Sequence, residues 1–104
     1  MSRPHAALLA VFFVMVPFAV PARAADAGQG EVLAKRWCAT CHVVGTGQTR
    51  GSTQAPPFSE IAKKSGFNAG QLALYLLLPH PRMPDMNMSR AEAADLAAYI
   101  AAQR

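Results

Sequence analysis

Apolar residues occupy every position from Ala6 to Val20, so the opening stretch has no polar face, and helical spacing of apolar positions begins only after Asp26. Asp26 followed by Gln29 has the side-chain spacing of a capping box and predicts a helix from about Ala27 to about Trp37. From Val43 to Pro57, glycines, Ser, Thr and two adjacent prolines show no period and predict a long loop. Phe58 to Lys64 can form a short helix closed by Ser65-Gly66, and Asn68 with Gln71 caps a helical run through Leu78 that Pro79 stops. Three prolines and three methionines between Pro79 and Met88 exclude regular structure there. Ser89 with Glu92 opens a last helix from Arg90 to about Ala102, with Ala93, Leu96, Ala97 and Ile100 on one face. No strand period or internal repeat occurs, so the expected fold class is all-α, about four helices and long loops.

The apolar opening changes the domain count. Arg3 supplies a positive start, and Ala22-Arg23-Ala24 has the small-x-small form of a signal peptidase site. The run falls short of the roughly 20 apolar residues of a spanning helix and is interrupted by Pro17 and Pro21, which favours a cleavable signal over an anchor. The expected organisation is therefore a signal peptide over residues 1–24 and one domain over 25–104, exported to the periplasm, with no stable membrane insertion after cleavage.

Charge excludes one class of partner. The net charge of +4 falls to +2 when Arg3 and Arg23 leave. The pairs Lys35-Arg36 and Lys63-Lys64 are isolated among acidic residues, which is not the clustered footprint of a nucleic-acid binder. A domain this small commonly needs a staple. A disulfide between its two cysteines would close only a short loop and constrain the unfolded chain little, so a cofactor at the core answers the size problem better.

Cys38-Ala39-Thr40-Cys41-His42 is the C-x-x-C-H pattern of c-type haem attachment. Two thiols at this spacing can each add across one vinyl group of the porphyrin, which stands the next residue, His42, under the iron. A thioredoxin-like dithiol would want a βαβ pattern, absent here, and a zinc site usually pairs two knuckles, whereas no second cysteine pair exists. Candidates for the iron's other face are His80, Met83, Met86 and Met88, and spacing alone does not choose among them. Pro79 and Pro81 on either side of His80 are expected to leave that imidazole on the surface.

With those residues in place the chain resembles the class I cytochrome c family, in particular its small bacterial members. The matching features are Gly30 upstream of Cys38-Ala39-Thr40-Cys41-His42, the Pro56-Pro57-Phe58 turn, Met83-Pro84, and Asp95-Leu96-Ala97-Ala98-Tyr99-Ile100 in the last helix. The resemblance implies one covalently attached haem c, axial ligation by His42 and Met83, and a close crossing of the first and last helices at Gly30, opposite Leu96 and Tyr99. It further implies that the carbonyl of Pro56, or of Pro57, orients the His42 ring. Ala34 departs from the family, which often carries an aromatic there. Thr46 to Gln54 exceeds the matching stretch of the smallest relatives and reads as a mobile surface loop.

The function implied is single-electron transfer between periplasmic redox proteins, a dehydrogenase donor and an oxidase or reductase acceptor, by a chain that is not itself an enzyme. It would act as a monomer or as the small subunit of a complex. Two alternatives are a dedicated cytochrome subunit of a periplasmic dehydrogenase, and a haem enzyme or gas sensor with a labile methionine.

Overall fold

The computed structural model describes Met1 and residues 14–104, so Arg3 and the front of the predicted signal lie outside the described residues. From Val14 to Asp26 the chain forms neither helix nor strand, and Val14, Met15, Val16, Phe18 and Val20 are exposed. Among the described residues no helix is long and apolar enough to cross a membrane.

Four α-helices follow, with no strand among the described residues. Helix α1 (Ala27–Leu33) starts where the Asp26 carboxylate accepts the amides of Gly28 and Gln29. Winding continues to Cys38, but Ala34–Cys38 is a π-helical turn, in which the Ala39 amide reaches back to the Ala34 carbonyl. The wider turn re-aims the residues after it. It leaves Lys35 and Arg36 outside while Ala34 and Cys38 are buried. The predicted helix thus has the right extent and a different winding.

Helix α2 (Phe58–Lys63) is followed by a reversal through Gly66, whose φ of +73° lies in the left-handed region that favours glycine. Helix α3 (Ala69–Leu77) is capped by Asn68, which accepts the Gln71 amide. It ends one residue before Leu78, because the residue preceding a proline is disfavoured in the α region, and Leu78 is extended. Helix α4 (Arg90–Ala101) carries both halves of the Ser89/Glu92 capping box.

The core forms where α4 lies against α1 and α3. Ala93, Leu96, Ala97 and Ile100 are all buried, and the same helix also buries Asp95 and Tyr99. Gly30 makes the α1/α4 crossing possible: a Cβ there would strike the Asp95 carbonyl oxygen and lie 2.7 Å from the Tyr99 Cβ. The contact therefore falls on Asp95 and Tyr99. Tyr99 finds its aromatic neighbour not beside Ala34 but in Phe58, edge to face at 6.3 Å, and its hydroxyl donates to the Val44 carbonyl at 2.7 Å. The Asp95 carboxylate accepts the Asp26 amide at 2.7 Å and the Arg23 guanidinium at 3.1 Å. These bonds hold the start of α1 on α4, and together they keep the Asp95 carboxyl below its ordinary pKa, the amide contributing most.

Candidate haem site

The π-helical turn delivers the two cysteines to opposite environments. Cys38 is buried in the core cluster and Cys41 is exposed, and both thiols are free. The Cys38 carbonyl accepts the amides of Cys41 and His42 at 3.1 and 2.8 Å, which winds the attachment segment into one tight turn. Burial pushes the Cys38 thiol up to about 11, with a smaller contribution from Cys41. A redox dithiol draws its reactivity from the opposite shift, a lowered thiol pKa. Among the described residues no three His, Cys, Asp or Glu side chains gather into a metal-binding group.

His42 is half-buried, with its ring centroid 5.4 Å from that of Phe58. Its Nδ1 lies 2.7 Å from the Pro56 carbonyl oxygen. The Pro57 carbonyl is engaged elsewhere, by the amides of Glu60 and Ile61 in the first turn of α2. An Nδ1–H donating to Pro56 leaves Nε2 with the lone pair, the tautomer an imidazole needs to act as a metal ligand.

Behind His42 the stretch from Thr46 to Gln54 is a surface loop, as expected. Most of its side chains are exposed, but its backbone is tied to the attachment segment. Ser52 donates its amide to the Cys41 carbonyl at 2.6 Å, and a Cβ on Gly51 would lie 2.9 Å from that same oxygen. Gln48, half-buried, extends its amide between the loop and residues 39–44. Sequence reasoning missed Gln48 because a glutamine among small polar residues carries no pattern that separates an inward side chain from a solvated one.

The methionine segment approaches the same cluster from the other direction. Met83 and Met86 are half-buried and pack against the core cluster that contains Cys38 and Phe58, while Met88 is itself a buried member of it. His80 is half-buried at the surface. Pro79 ends α3 and the chain turns back over its last turn, so the imidazole stacks on Tyr75 at 4.7 Å with Nδ1 2.7 Å from the Leu78 carbonyl. Its Nε2 is buried without a hydrogen-bond partner among the described residues. Trp37, Phe67 and Leu72 pack against the same cluster, whereas Tyr75 is exposed.

This donor set fits a haem. Two free thiols lie on one turn, an imidazole has one nitrogen turned back to a carbonyl and the other open, and thioethers rest on the cluster that buries Cys38. No family profile and no solved structure matches the chain. Among known proteins it is 53% identical over 83 residues, covering 80% of each chain, to cytochrome c-552 of Bradyrhizobium diazoefficiens. Identity at that level over four-fifths of both sequences, on an all-helical fold with a C-x-x-C-H turn, shows that the chain belongs to the bacterial c-type cytochromes.

Proposed function

We propose that the chain is a periplasmic one-electron carrier holding one haem c, with Cys38 and Cys41 as thioether anchors, His42 as one axial ligand and Met83 as the other. The haem supplies the Fe(III)/Fe(II) couple, and the polypeptide sets its potential, burial and docking. The observation that carries the reading is the His42 Nδ1 to Pro56 contact of 2.7 Å directly after two free thiols. It selects the tautomer and orients the ring, as a backbone acceptor does for metal-bound histidines. Met83 is favoured over Met88 because Met88 is committed to the core, and a thioether ligand favours ferrous iron over harder donors. The occluded Nε2 of His80 makes that imidazole the rival for the second position.

Export follows from residues 1–24 acting as a signal peptide cleaved after Ala24. Partners dock over the haem edge, and the exposed Lys63, Lys64 and Arg82 steer redox partners by charge. The name cytochrome c-552 on the similar protein supports the electron-carrier assignment.

Optical spectra of the exported protein test the reading. Covalent haem retained through denaturation, with a weak far-red methionine-to-ferric-iron band lost in Met83→Ala, is the expected result. Covalent haem without that band would move the second position to His80 or leave it open, and absence of covalent haem would overturn the reading.

A further inference from the structure

The backbone groups of residues 39–44 have outside partners to an unusual degree. The Cys41 carbonyl takes the Ser52 amide, the Val43 carbonyl takes the Phe58 amide at 3.0 Å, and the Val44 carbonyl takes the Tyr99 hydroxyl. Everything else in this segment that finds a loop partner finds the same one. The Gln48 amide nitrogen lies 2.9 Å from the Ala39 carbonyl, 2.7 Å from that of His42 and 2.8 Å from that of Arg50, while its Oε1 accepts the Val44 amide at 3.0 Å. The orientation of this side chain is forced. Turned over, its oxygen would face three carbonyl oxygens and its NH2 would face an N–H.

From this arrangement we infer that Gln48 is the positioning residue of the haem-attachment turn. It grips the turn at Ala39, ahead of Cys41, and again at His42 and Val44, and so fixes the direction in which the His42 backbone presents its ring to the Pro56 carbonyl. One neutral amide does this where a charged side chain would not. A carboxylate has no donor for three carbonyls, and an ammonium has no acceptor for the Val44 amide. The inference deepens the assignment of His42 as ligand under Proposed function and rests on it.

Gln48→Met keeps the length and bulk of the side chain and deletes all four contacts, three of which share the two hydrogens of one NH2. It leaves the part-buried peptide groups of Ala39, His42 and Val44 without that partner, and the Val44 amide should then exchange with solvent about tenfold to a hundredfold faster. In the oxidised holoprotein the paramagnetically shifted ring signals of His42 should move as well. Ser52→Ala is the control, since the Ser52 bond to Cys41 comes from its backbone; it should leave both readouts at wild-type values. Wild-type values in Gln48→Met, or the same changes in Ser52→Ala, would overturn the inference. A Gln48→Met chain that does not fold is replaced by a measurement on the unaltered protein. There, slow exchange and restricted rotation of the two Gln48 side-chain amide protons are expected, and a freely rotating amide refutes the clamp. A wild-type chain without covalent haem would bring down the functional reading alone, because Val44 exchange still reads the clamp in that protein.

Discussion

Residues 39–44, which carry His42, have their peptide groups tied from outside by Gln48, Ser52, Phe58 and Tyr99. Residues 79–88, which carry Met83, are built differently. Their hydrogen bonds are local, between the His80 ring and Leu78 and between the Asn87 amide and the Asp85 carboxylate, and Asn87 sits at a φ of +50°. The composition explains the contrast. Pro79, Pro81 and Pro84 have no N–H to offer, and the methionines bring soft apolar surface and no donor. One side of the site is therefore preorganised by directed bonds. The other is held by packing and, in the proposed function, by its own bond to iron. A ligand on the packed side should be the first to yield when the protein is stressed.

The largest effect expected is on the anchors of the tied side. Replacing Cys38 and Cys41 together by alanine should abolish covalent haem, read as loss of haem from the denatured protein. Next comes the packed side. Met88→Ala removes a buried side chain and should cost about 2–5 kcal/mol in urea unfolding while the far-red band of the native protein survives. Loss of the band there would make Met88 part of the ligand set. Gly51→Ala asks whether the tied side is as tight as its bonds imply. The new Cβ meets the Cys41 carbonyl oxygen, and a loss of about 1–3 kcal/mol is expected from the same unfolding measurement. A neutral result would show that the loop gives way and would dissolve the contrast.

The smallest effect concerns Asp95, outside both sides of the site. Its carboxyl is held below the ordinary aspartate value by the Asp26 amide first and by Arg23 second. A depressed folded-state pKa contributes stability that is complete above the unfolded value, about pH 4, and is lost as pH falls through the folded value. Asp95→Asn should lower stability at neutral pH by about 1 kcal/mol and flatten the acid limb of the stability profile. An unchanged acid limb would show that the Asp26 bond is not formed in solution. Since the Asp26 amide dominates, the effect should persist in a chain that lacks Arg23.

Much of the fold is legible in the sequence because its determinants are local. Asp26, Asn68 and Ser89 meet amides two or three residues away, Gly66 takes a left-handed φ, and Pro79 restricts Leu78, all interactions that spacing alone exposes. The C-x-x-C-H motif is local in the same sense, because both thiols and the imidazole lie within one turn. Other features are not visible at that range. The π-helical winding before Cys38, the occluded Nε2 of His80 and the inward Gln48 escape simple pattern reading, since each depends on what the chain meets after folding.

By itself, then, the sequence determined the helices and their caps and the chemistry of the attachment turn, while the close approach at Gly30 came from the family resemblance. Only the tertiary structure decided that the approach falls on the Asp95 carbonyl and the Tyr99 Cβ, that Pro56 and not Pro57 faces the His42 ring, and that Asp95 is buried against the start of α1. The physical reason is range. Caps and motif geometry are set by backbone dihedrals over a few residues, whereas a carbonyl or carboxylate acquires its partner only when helices distant in sequence are packed together, as Tyr99 is on Val44.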